Sequence, residues 1–234
     1  MPPARPSALA LLAASALLSA GCAGPAASGS PAGGPTPDEL AVFDLQARLS
    51  ARAASLVGRT GDFRAGGERF PADCTGFVEA VYQAEGVPLR ALLQRAAPDE
   101  RHGVEAAWRA MRAYGAILPS GDWPAPGDLV FWRNTYDRDR NGRADDGLTH
   151  VGVVLYVVDG NVVFAHRGGH AVARGAMDPR RPHAGSVDGA VVNTPIRKRD
   201  ARLEGVPVLA GELFAGYGRI DPRRVPRIEG AASP

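Results

Sequence analysis

The spacing of apolar positions changes character midway along the chain. Val42, Leu45, Leu49, Ala53 and Leu56 recur three or four residues apart and so share one stripe of a helix. Thr36 and Glu39 stand at capping-box spacing with Pro37 at the first helical position, and Gly58 stops the run, which predicts a first helix from Asp38 to Val57. Phe77, Val81 and Ala84 repeat the period behind Asp73, an N-cap residue, with Gly86 as the stop. Pro88–Ala97 and Val104–Tyr114 read as two more helices, the second burying Ala107, Trp108 and Met111. The glycines and Pro71 between Thr60 and Ala72 predict a loop. From Pro124 the helical period gives way to short runs rich in Val, Phe and Leu. Leu129–Trp132, Val151–Val158 and Val162–His166 read as strands, the last two joined by a tight turn at Asp159-Gly160-Asn161. Val172–Arg174, Val191–Asn193 and Phe214–Arg219 extend the series. Helices first and a meander after them predict an α+β domain, with N-terminal helices packed on a mainly antiparallel sheet.

The N-terminal stretch follows other rules. A short segment carrying Arg5, an apolar run from Ala8 to Leu18 and small residues before Cys22 have the layout of a signal peptide over residues 1–21. The run is too short for a membrane-spanning helix. Leu18-Ser19-Ala20-Gly21-Cys22 resembles the bacterial lipobox, which implies cleavage before Cys22 and lipidation of that residue. Residues 22–35, rich in Gly, Pro, Ala and Ser, cannot build a core and read as a flexible tether. Ala23 is not the aspartate that acts as an inner-membrane retention signal, so the implied location is the outer membrane facing the periplasm, where the organism has one.

Composition narrows the partners. The formal net charge is +2 over 234 residues, the basic residues are arginines apart from Lys198, and acids are interspersed among them. No basic stripe interleaved with aromatics points to nucleic acid.

Cys74 is the chemically distinctive residue. In the first turn of a helix the unpaired N–H groups and the dipole favour an anion, so the position predicts a thiolate near neutral pH. A buried inert thiol is the plain alternative. A thiolate needs a base and a group to hold the base's tautomer. His150 opens one predicted strand and His166 closes its hairpin partner, which puts both at one end of the sheet. His170 competes for the third role, whereas His102 and His183 stand in polar loops. A zinc site of Cys74, His150 and His166 lacks any close ligand pair.

The surrounding motifs resemble those of the NlpC-type cell-wall peptidases, a papain-like superfamily. Asp73-Cys74-Thr75-Gly76-Phe77-Val78 is similar to their nucleophile motif, Gly127-Asp128-Leu129-Val130-Phe131 to their next strand, His150-Val151-Gly152-Val153-Val154 to the run opened by their base, and Phe164-Ala165-His166 to the strand with their third polar residue. The resemblance covers about residues 38–170. It implies a papain-like NlpC-type domain over residues 36–222, followed by a tail over 223–234. It also implies Cys74 as nucleophile, His150 as general base and acid, His166 as the orienting group, and peptidoglycan stem peptides as substrate, cut most commonly at D-glutamyl to diamino-acid linkages. No cofactor is required for that chemistry. Phe63 stands where the family often has a tyrosine near its cleft. Cys74 and His150 are further apart in sequence than in compact members, with the helices over 88–114 and the loop over 134–148 making up the difference. A related amidase group, the cysteine, histidine-dependent amidohydrolases/peptidases, is the runner-up, and a wall-binding module without turnover is the alternative of a different class.

The loop before His150 carries its own pattern. Asp137, Asp139 and Asn141 at positions 1, 3 and 5, Gly142 at 6, Arg143 at 7 and Asp145 at 9 follow a calcium-binding loop, while Leu148 stands where the twelfth-position glutamate belongs. Structural calcium is therefore expected on Asp137, Asp139, Asn141, Arg143 and Asp145, with Asp146 substituting where the loop closes early.

Overall fold

The computed structural model describes residues 36–119, 121–197 and 205–226. The predicted signal peptide, Cys22, the tether and the tail beyond residue 226 lie outside the described residues.

Helix α1 (Pro37–Ser55) starts as its sequence dictates. The Thr36 hydroxyl accepts from the Glu39 N–H, and the Glu39 carboxylate accepts from the Thr36 N–H at 2.8 Å. Its stripe buries Leu45, Leu49 and Ala53. After it come the short strands β1 (Phe63–Ala65) and β2 (Glu68–Phe70), then α2 (Cys74–Ala84), α3 (Leu89–Ala96) and α4 (Gly103–Tyr114). The expected loop over 60–72 is therefore a hairpin, turned at Gly66 and Gly67 and too short in each arm to display alternation.

The main sheet comprises β3 (Gly115–Ile117), β4 (Leu129–Arg133), β5 (Leu148–Val158), β6 (Asn161–Arg167), β7 (Val172–Met177) and β10 (Phe214–Ile220). Its order is β3-β10-β4-β5-β6-β7, with every neighbouring pair antiparallel. The α+β class expected from the sequence is thus the one the chain adopts. Between β7 and β10 lie a small hairpin of β8 (Ser186–Val187) and β9 (Ala190–Val191), and the short helix α5 (Ala210–Leu213).

The sheet is covered on both faces. Leu129 and Phe131 of β4 join Val151 and Val153 of β5 in a core against the helices, whereas Val130 and Trp132 pack with Val154, Phe164 and Met177 against Ala210 and Leu213. Two-sided burial explains why β4 reads as a continuous apolar run. The helices are tied to the sheet through Asp128, just before β4. Its carboxylate, 1% exposed, accepts from Gln46 of α1 at 3.0 Å, from the Ala125 N–H at 2.8 Å and from Arg219 of β10 at 2.7 Å. The Asp of the Gly-Asp-Leu-Val-Phe motif is therefore a structural tie between the first helix and the last strand.

Candidate active site

Helix α2 puts Cys74 at its first residue. Asp73 caps it, accepting from the Gly76 N–H at 2.7 Å. Fully buried Phe77, Val78, Val81 and Tyr82 seat the helix in the core. The Tyr82 hydroxyl donates to the Gly127 carbonyl at 2.9 Å, tying the helix that opens at Cys74 to the segment leading into β4. Gly76 is a packing requirement, because a Cβ there would lie 2.1 Å from the Pro71 carbonyl oxygen.

His150 is aimed by a bulge. In the ladder between β4 and β5, Trp132 faces His150 and Arg133 faces Leu148, so Thr149 is the extra residue. The Thr149 hydroxyl is buried and pinned, accepting from the Thr135 N–H at 2.8 Å and hydrogen-bonded to the Thr135 hydroxyl at 3.0 Å. A second bulge at Leu155, between the β5–β6 pairs Val154↔Phe164 and Tyr156↔Val163, is satisfied from α1, where the Ser50 hydroxyl donates to the Leu155 carbonyl at 2.8 Å.

His166 lies on β6 opposite Gly152. A Cβ at Gly152 would come 2.7 Å from the Ala165 carbonyl oxygen and 3.2 Å from the His166 Cβ, so the motif glycine makes room for the pair. His150 Nε2 and His166 Nδ1 are 2.7 Å apart, with the two rings perpendicular. Trp132 packs beside both imidazoles, its ring centroid 5.7 Å from that of His150, and its indole N–H is fixed on the Ala210 carbonyl at 3.0 Å. Cys74 and His150 line one cleft of about 450 Å³, together with Arg101, His102, Tyr136 and Arg138. The backbone of Val151, one residue beyond His150, is close enough to the Cys74 sulfur to favour its charged form.

Two solved structures are similar to the chain: a Staphylococcus aureus protein described as similar to lipoprotein, NLP/P60 family, and a Bacillus cereus protein of the NlpC/P60 family. Each is 17% identical to it with a TM-score of 0.38 over 76% of this chain. The match takes in 41% and 40% of their lengths, so this chain spans about two fifths of each. No protein-family model matches the chain, and no curated protein matches it.

The electrostatics depart from the sequence expectation of a thiolate. Burial pushes the Cys74 thiol up to about 11, and the Asp73 carboxylate adds to the push, against hydrogen bonds from Val151 and Thr75. Burial lowers His150 well below the ordinary histidine value, with His166 contributing, and burial alone brings His166 down to about 4. Both shifts favour a neutral thiol and a neutral imidazole at rest. The helix N-terminus does not prevail, because tertiary packing strips solvent from the sulfur.

The remaining predicted residues are scattered. His170 is exposed beyond the end of β6 and does not line the cleft, and His183 is exposed and paired with Glu212 at 3.1 Å. His102, expected at the surface, is exposed and stands on the cleft wall beside Arg101. Phe63 is buried against Phe77, with ring centroids 5.8 Å apart, so it belongs to the core and not to the cleft. The aromatic group near the sulfur is Tyr136, whose phenol is shifted up first by burial and then by Cys74. Its only signal in the sequence is its place at the entrance of the inserted loop.

That loop closes earlier than the twelve-residue pattern. The Asn134 N–H donates to the Gly147 carbonyl at 2.9 Å and the Gly147 N–H to the Asn134 side chain at 3.0 Å, so Leu148 already belongs to β5. Asp137 and Asp139 converge with Asp146, while Asp145 is turned to Arg143 at 2.8 Å. Asn141 bonds the Asp139 carboxylate from its own side chain at 2.9 Å. Of the expected set, Asp137 and Asp139 thus converge with Asp146, the residue expected to substitute on early closure, in place of Asp145.

The histidines make folding stability pH-dependent. An unfolded histidine takes its proton near 6.5, whereas buried His166 resists until about 4, so acid favours the unfolded chain across that window. The stability is present above 6.5 and is lost as the pH falls through about 4. The contribution is on the order of 3 kcal/mol. The melting temperature is expected to fall between pH 7 and pH 4.5, and His166→Gln to shrink that difference; an equal difference in both proteins would refute the assignment.

Proposed function

We propose that the chain is an exported cysteine hydrolase of NlpC-like type that cuts amide bonds in the peptide stems of peptidoglycan, anchored to the cell envelope by a lipid on Cys22. One arrangement carries the reading: a cysteine on the first turn of a buried helix shares a cleft with His150, whose Nε2 is engaged by His166 at 2.7 Å. With Nε2–H donated to His166 Nδ1, the Nδ1 lone pair of His150 is the basic one. His166 can accept that bond because it stays neutral down to about 4.

The proton of the Cys74 thiol passes to His150 Nδ1 as the sulfur attacks the scissile carbonyl carbon. The resulting imidazolium strengthens the bond to His166 by charge. N–H groups of the α2 first turn, that of Cys74 among them, face the developing oxyanion. Collapse expels the amine, which takes the proton back from His150 and leaves a thioester on Cys74. Water, deprotonated by His150, attacks the thioester carbonyl and releases the acid and the thiol. Starting from a neutral pair, proton transfer accompanies attack. Arg101 and Arg138 on the cleft wall suit the carboxylates of a stem peptide.

Incubation with purified peptidoglycan, followed by labelling of new amino termini and mass spectrometry of the fragments, tests the reading. Release of stem fragments is expected, with Cys74 alkylation by iodoacetamide still rising above pH 9 because of the raised thiol. No released amine, together with a thiol that resists alkylation in the folded protein even at pH 10, would make the chain a wall-binding module without turnover.

A further inference from the structure

We infer that the loop between β4 and β5 is a calcium site built from Asp137, Asp139 and Asp146, and that the ion braces one wall of the cleft. A carboxylate oxygen from each of these residues lies within 4.8 Å of the others. Calcium held at about 2.4 Å can have ligand oxygens up to about 4.8 Å apart, so the trio fits around one ion.

The loop holds these like charges together by its own hydrogen bonds. The Gly142 N–H donates to Asp137 at 3.0 Å, the Arg138 and Asp139 N–H groups donate to Asp146 Oδ1 at 2.9 and 3.2 Å, and Asn141 donates twice to Asp139. The deciding observation is Asp146. It is 6% exposed, and its second oxygen, Oδ2, has no hydrogen-bond partner in the protein. A buried carboxylate oxygen is costly to leave without a partner, and a cation supplies one. The arginines of the loop do not take that place. Arg138 sends its guanidinium to the carbonyl of Asp146 at 2.7 Å, and Arg143 turns to Asp145.

The donors are all oxygen and the loop is irregular, which suits calcium; magnesium demands a compact octahedron and zinc prefers nitrogen and sulfur. The loop reaches the cleft through Tyr136 and Arg138. It reaches the bulge before His150 through Thr135. None of this depends on the chemistry proposed at Cys74.

The test is calorimetric titration of the metal-stripped chain with calcium chloride and with magnesium chloride, alongside thermal melts. One calcium per chain is expected, with Kd on the order of 0.1 mM, a rise in melting temperature at saturating calcium, and at least tenfold weaker magnesium binding. Asp146→Asn and Asp139→Asn are expected to weaken calcium binding tenfold or more, and Asp145→Asn to change it less than twofold. Absence of calcium binding by the parent chain, or an Asp145→Asn loss equal to that of Asp146→Asn, would overturn the site. Asp139 is exposed, so Asp139→Asn decides the matter by itself where Asp146→Asn does not fold.

Discussion

Alanine at Cys74 is expected to abolish the proposed amine release from peptidoglycan while leaving the melting curve nearly unchanged. The expected loss is on the order of 10⁴-fold or more, the scale seen when a covalent nucleophile is removed from a working set. Cys74 sits at the edge of the helical core, its sulfur buried but the residue as a whole half-exposed, so the fold loses little with the sulfur. Serine is no substitute, because the neutral resting pair must pass a proton during attack and a hydroxyl parts with its proton far less readily than a thiol. His150→Ala should cost a similar factor, and the double variant no more than the worse single one, since the two groups act as a unit. Retained hydrolysis in Cys74→Ala would remove the thioester mechanism outright.

Asp128→Ala gives the opposite result: a large loss of stability with chemistry intact at low temperature. The change leaves Arg219, Gln46 and the Ala125 N–H without their shared carboxylate. Arg219 is one-third exposed and can turn to water, so the cost is about 2–3 kcal/mol, below that of a fully buried pair. In a domain of this size that lowers the melting temperature by roughly 10 °C. Asp128 does not line the cleft, so turnover of the folded fraction measured well below the transition should stay within a few-fold of the parent. A fall in turnover with no change in melting temperature would mean that Asp128 acts on the cleft.

The parts of the fold legible in the sequence are those fixed by neighbouring residues. The Thr36–Glu39 box, the Asp73 cap before Cys74 and the turn at Asp159-Gly160 are local devices, and each appears where its residues predict. The convergence of Cys74, His150 and His166 could be anticipated because two of them sit on one hairpin and the third at a helix start. What stayed hidden is set by distant parts of the chain. Gly115–Ile117 forms a strand because β10 lies beside it, and nothing in those three residues announces a partner so far along the chain. The thiol at about 11 is a product of tertiary burial, which a capping rule cannot register. That Asp146 and not Asp145 joins Asp137 and Asp139 follows from the Asn134–Gly147 closure, the early closing that the sequence offered only as an alternative. Nothing in the sequence singles out Thr149, yet it is the bulge that sets which way His150 points.

The place of β10 in the sheet bears on the order in which the protein can be completed during synthesis. The meander from β4 to β7 ends at Met177, and by then every residue of the proposed catalytic set has been made. The strand that separates β3 from β4 begins only at Phe214. Until it emerges, β4 offers an unpaired edge, β3 has no neighbour in the sheet, and Asp128 lacks its arginine. Open edges of apolar strands invite pairing with other chains. A ribosome-bound chain that folded as it emerged would pass through that exposed interval, whereas one delivered whole before folding never does.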